Sequence, residues 1–146
     1  MTVNFIYNLY LQRLDEQKMK KNDAKIQKQK EKLVKNKYMD ESDNLLDYVQ
    51  GNTRERILGK WGQWQQGWIY FTERKILCFW GLTGHLEIPY NSIHAIGKCK
   101  QMFLPLGITI THTDEDGKVV EDRISVQKRD GKIKIISERS GVEVSG

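Results

Sequence analysis

The chain has 146 residues, 38% of them hydrophobic, with two cysteines and a formal net charge of +5; that is enough for one domain with its own core. Cys78 and Cys99 form no CxxC motif and have no further cysteine to pair with, which excludes a disulfide framework and suits a reducing compartment. Ten Lys and Arg against four Asp and Glu give residues 1–38 a charge of +6 and leave −1 for the rest, so a basic groove tracking nucleic acid is not expected in the body, and an acidic partner is expected for the arm.

The opening stretch MTVNFIYNLYLQRLDE has no positive region before its apolar run and no small-residue cleavage site, so neither a signal peptide nor a membrane span is expected. A cytoplasmic location follows, with peripheral attachment at the inner membrane face as the further expectation. From Val3 to about Tyr38 the chain contains no Gly or Pro and is rich in Leu, Gln, Lys, Glu and Met, which predicts a helix. Val3, Ile6, Tyr10 and Leu14 share one face, with Phe5, Leu9 and Leu11 off it, so this part needs a burial site and is the expected interaction helix. The second part keeps only Met19, Ile26 and Leu33 as a seven-residue repeat, weak grounds for a coiled coil. Three uses of the arm stay open: docking on the body or on a second copy, contact with an anionic membrane, and nucleic-acid binding through its lysines.

Residues 39–53 read as a linker, with a short helical turn at Leu45 to Val49 and a break at Gly51-Asn52. Beyond them, residues 54–146 change to a period of two: Ile76, Cys78 and Trp80 alternate with Leu77 and Phe79, and LGITITHT and VVEDRISV alternate in the same way. Turn signals recur at Gly81 to Gly84, Pro89-Tyr90-Asn91, Pro105 and Asp114 to Gly117, predicting an antiparallel sheet that curls into a barrel or sandwich. Trp61, Trp64 and Trp68 have helical spacing, but Gly59, Gly62 and Gly67 interrupt the same window, each costing ~1 kcal/mol in a helix. A strand carrying Trp61 and Trp64, a bend, and a second strand carrying Trp68 into a turn at Thr72 is expected instead.

GWIYFTERKILCFWG followed by LEIPYNSIHAIGK resembles the central signature of GRAM and bacterial PH-like domains. The matching features are a strand, a turn Thr72-Glu73-Arg74-Lys75, an apolar strand, and the segment Ile88-Pro89 to Ile93. The resemblance extends over roughly residues 46–137. It implies an α+β fold: a strongly bent, PH-like antiparallel β-barrel plugged by a C-terminal helix, here preceded by a long N-terminal helix. RDGKIKIISERSGVEVSG offers only Ile133, Ile135 and Ile136 before Gly141, so the plug is expected to be short or irregular.

The family's open-end loops can hold phosphorylated headgroups, and the resemblance makes Arg74, Lys75, Lys98 and Lys100 the candidate anion or lipid contacts; a solvated surface is the competing reading. No catalytic fingerprint appears. His85, His94 and His112 are scattered and have no zinc spacing with cysteine, and DEDG lacks the ligand pattern of a calcium loop. The expected function is therefore a non-catalytic interaction module, for anionic membrane association or protein scaffolding, with no metal or cofactor and with oligomerisation through the helix. Nucleic-acid binding by the basic helix is the alternative.

Overall fold

The computed structural model describes residues 2–57 and 60–145. It divides into two compact units, residues 1–45 and 46–146. The first contains helix α1, Thr2–Lys35. Its last turn carries Lys32 and Lys35, which suit the negative end of the helix dipole, and Lys37 follows in the left-handed conformation (φ 64°). The Tyr38 amide closes the helix end on the Leu33 carbonyl at 3.0 Å. From Val3 to Leu14 the side chains of α1 are exposed, including the expected interaction face of Val3, Ile6, Tyr10 and Leu14.

The second unit is a seven-stranded antiparallel sheet followed by a helix. Its strands are β1 Leu45–Ile57, β2 Lys60–Thr72, β3 Lys75–Trp80, β4 Gly84–Pro89, β5 Ile93–Gln101, β6 Leu104–Thr113 and β7 Val119–Val126; helix α2 is Arg129–Ser140. The order across the sheet is β4-β3-β2-β1-β7-β6-β5. The expected closure into a barrel is corrected here: β4 and β5 remain edges. The sheet is nonetheless bent. Laid flat, its two edges would stand ~29 Å apart at ~4.8 Å per strand. Yet β4 connects to β5 through the single 3₁₀ turn Tyr90–Ser92, whose four Cα steps from Pro89 to Ile93 reach at most ~15 Å. Only a curled sheet brings the edges within that reach. Phe71, Ile76, Ile88, Ile96, Ile110 and Ile124, drawn from both halves of the sheet, accordingly share one core with Ile133 and Ile136 of α2.

Three further expectations change. Residues 45–53 of the segment read as a linker belong to strand β1, and Leu45 to Val49 is extended rather than helical. Gly51 does not break the chain: a Cβ there would lie 2.6 Å from the Ser125 carbonyl, so glycine allows β1 to pack closely on β7. Trp61, Trp64 and Trp68 all lie on the continuous strand β2 instead of on two strands, and Gly67 sits where a Cβ would strike the Phe79 backbone. Leu58 and Gly59, part of the expected earlier strand, lie outside the described residues. The C-terminal helix α2 is short, 12 residues, as expected. It is ended by Gly141 at φ 73°, whose amide bonds the Ser137 carbonyl at 2.9 Å.

Cys78 is fully buried in the core, and burial pushes its thiol pKa up to about 12. The unfolded thiol ionises near 9, so between these values the folded state holds the extra proton. Stability from this group is complete below pH 9 and falls by about 1.4 kcal/mol per pH unit above it. The urea midpoint is expected to drop between about pH 8 and 10.5, and to drop less in Cys78→Ala; equal slopes for the two proteins would contradict this assignment.

Candidate functional site

The β5–β6 hairpin ends in an apolar tip. Gln101 pairs with Leu104, leaving Met102 and Phe103 as a two-residue loop, a length that demands positive φ. Met102 supplies it at φ 56°, where glycine or asparagine is the usual choice and a side chain costs ~1–2 kcal/mol. Below the tip the register shifts between Cys99 and Gln101. Pro105 sits in the additional length of β6, a position where its missing N–H takes nothing from the ladder. Met102, Phe103 and Leu104 are 79%, 91% and 56% exposed. Folding gains nothing from three adjacent apolar side chains in water.

Cations flank this tip. Lys98 and Lys100 project from β5 into solvent, and Lys128 is exposed in the turn before α2. Arg129 fixes that turn against the hairpin: its Nη1 donates to the carbonyls of Cys99 at 3.2 Å and Gly107 at 3.3 Å. A shallow depression of about 500 Å³ is shared by Pro105, Leu106 and residues 128–131, placing the α2 entrance beside the hairpin base. The nearby anion is Asp130, 3.8 Å from Lys98 through an exposed pair, an arrangement worth at most ~1 kcal/mol.

The other two expected cations lie elsewhere. Thr72 Oγ1 accepts the amides of Arg74 and Lys75 at 3.1 and 3.0 Å and so builds the β2–β3 turn. The Arg74 carbonyl accepts the Tyr90 amide at 3.0 Å, which docks this turn on the 3₁₀ turn that leads into β5. Lys98 is five residues further along β5 from Ile93, ~17 Å at the strand rise. Lys75 is also engaged by Glu87 at 2.6 Å. The four residues thus form two separate pairs, and Lys98 with Lys100 is the pair that stands beside exposed apolar surface.

The tryptophans offer no open stacking platform of three indoles. Trp61 is covered by guanidinium groups: Arg123 at 4.6 Å, Arg56 at 4.9 Å and Arg54 at 5.4 Å from its ring centre. Trp68 is the exposed one, 6.0 Å from Tyr48. The histidines are dispersed, with His94 against Thr113 and His112 against Asp122. Among the described residues no group of three or more His, Cys, Asp or Glu is placed to hold a metal. Among them, too, no helix is long and apolar enough to cross a membrane.

No protein-family model matches the sequence, and no curated protein matches it. Among solved structures, the chain is similar to the C-terminal domain of an unknown protein from Leishmania infantum, with a TM-score of 0.52 and 18% identity over 67% of this chain and 84% of that one. The likeness is one of fold. A chain of the 8S snRNP assembly intermediate is also similar, with a TM-score of 0.48 and 11% identity over 70% of this chain and 86% of that one.

Sequence reasoning found Lys98 and Lys100 but missed Met102, Phe103 and Leu104, because QMFLPL reads as one apolar run until the register shows where the hairpin turns. Met102→Gly is expected to raise stability by about 1 kcal/mol in urea unfolding by relieving the left-handed residue. A loss of stability would show that the side chain is held by the fold.

Proposed function

We propose that residues 46–145 form a non-catalytic interaction module of the GRAM/PH-like kind that attaches peripherally to anionic membrane surfaces, with the β5–β6 tip as its contact. The observation that carries this reading is the exposed apolar triplet Met102-Phe103-Leu104 flanked by Lys98, Lys100 and Lys128. The meander that returns from β7 to β1, the Thr72 turn and the C-terminal helix that puts Ile133 and Ile136 into the core support the PH-like assignment.

The magnitudes require both halves of the site. An apolar side chain fully removed from water contributes ~1.5–3 kcal/mol, and partial insertion contributes less. Each cation near an anionic leaflet adds about 1 kcal/mol. Either half alone reaches about millimolar affinity, whereas together they approach the ~8 kcal/mol of micromolar binding. The contact is reversible and selective for anionic lipid. The arm acts as a second element, for docking or self-association, through Val3, Ile6, Tyr10 and Leu14.

Flotation of the full chain with vesicles of phosphatidylcholine alone, and with about one third phosphatidylserine, tests the proposal. The protein is expected to float with the anionic vesicles and stay behind with the neutral ones. Absence from both floating fractions would end the membrane reading.

A further inference from the structure

The two sheet edges differ. Along β5 the C-terminal tail lies parallel, with Val144 bridged to Ile96 and the Ser145 amide donating to the Ile96 carbonyl at 2.9 Å. Along β4, no described strand pairs with the outer side. In an antiparallel pair every second residue turns its N–H and C=O away from the partner, so β4 presents a row of backbone groups for another strand.

A cavity of about 570 Å³ opens between this edge and the β6–β7 hairpin, and its lining is acidic: Asp114, Glu115, Asp116 and Asp122, together with Glu87 already paired to Lys75, stand against the guanidinium of Arg56. Its wall also holds unmet hydrogen-bonding groups. His112, 2% exposed, lines the cavity with Nε2 2.6 Å from Asp122 Oδ2. A carboxylate only accepts, so Nε2 donates, and the buried Nδ1 on the other side of the ring has no partner among the described residues. Arg56 Nη2 lies 3.1 Å from Asp122 Oδ1, but neither it nor Nε makes a hydrogen bond. Three polar atoms of the wall, His112 Nδ1 and Arg56 Nε and Nη2, are thus unmet, and an extended backbone carries both donors and acceptors.

We propose that the β4 edge and this cavity bind an extended, Lys- or Arg-bearing segment of a partner protein, which adds a strand to β4 and directs its cationic side chains at Glu115 and Asp116. Main-chain pairing supplies affinity, and the acidic hairpin selects for basic side chains. This surface is separate from the β5–β6 tip and does not depend on the membrane reading.

The test uses the full chain and a fluorescent peptide of about ten residues alternating Lys and Val, with a Glu-Val peptide as its counterpart. Fluorescence anisotropy is expected to show saturable binding of the Lys-Val peptide that weakens between about 50 and 300 mM salt. Hydrogen exchange should slow at alternate β4 amides. Glu115 and Asp116 are exposed at the hairpin tip, so E115K/D116K keeps the fold; it should weaken the peptide about tenfold or more and leave vesicle flotation unchanged. No saturable binding, equal binding of the Glu-Val peptide, an unaffected E115K/D116K protein, or protection at β5 instead of β4 would each overturn the proposal. Exchange on the unsubstituted chain reads the edge without any variant.

Discussion

F103D/L104D is expected to lose about 100-fold or more of its affinity for anionic vesicles while unfolding at the same urea concentration as the parent. Both side chains are mainly in water, so the fold loses little, within about 0.5 kcal/mol. At the bilayer they would contribute a few kcal/mol, and each replacement adds an anion facing an anionic leaflet. At 1.4 kcal/mol per decade the sum exceeds two decades. Lys98→Ala with Lys100→Ala removes about 1 kcal/mol per cation and should cost at least tenfold, more at low salt than at high. Unchanged flotation of F103D/L104D would place the contact elsewhere on the chain, with the exposed end of α1 the next candidate.

Asp122→Asn is expected to be the most destabilising of the polar substitutions. Asp122, 8% exposed, joins three strands: it lies 3.1 Å from Arg56 on β1 and 2.6 Å from His112 on β6. Removing its charge leaves a guanidinium mostly out of water with no counterion. Loss of one partner from a fully buried pair costs about 3–5 kcal/mol. The Arg56 side chain is still 28% exposed, so about 2–3 kcal/mol is the expected loss in urea unfolding. The surface pair Lys134–Glu138, 4.0 Å apart and exposed at both ends, sets the contrast: Glu138→Gln should cost under about 0.5 kcal/mol. Similar losses from the two substitutions would mean that Asp122 is better solvated than its burial indicates.

The sequence disclosed the parts of this fold that rest on local chemistry. Thr72 is followed by the turn its hydroxyl organises, Asp114 holds the β6–β7 hairpin by accepting the amides of Asp116 and Lys118 at 2.9 Å, and the alternation in KILCFW places Ile76 and Cys78 in the core. What escaped it depends on partners distant in the chain. Gly51 looks like a breaker until the Ser125 carbonyl is seen above it, and nothing in the local pattern of β2 says that Gly67 must pass the Phe79 backbone. Closure was over-read for a related reason. Period-two strands and short turns specify a curled meander, whereas the meeting of β4 with β5 depends on a register that alternation does not encode. Half of the candidate site was legible, because Lys98 and Lys100 alternate on one strand. The apolar half was hidden, because Met102 occupies a turn position where glycine or asparagine would have announced the hairpin.

The central claim is that the β5–β6 tip enters the membrane, and the depth of residue 103 measures this directly. F103C in a C99S background carries a nitroxide at the tip; the other thiol, Cys78, is buried and protonated, so labelling is confined to one site. Power-saturation electron paramagnetic resonance with vesicles containing about one third phosphatidylserine should place the label about 5–10 Å below the phosphate level, accessible to oxygen and shielded from a water-soluble quencher. A label that stays fully accessible to the aqueous quencher while the protein is vesicle-bound would contradict the account.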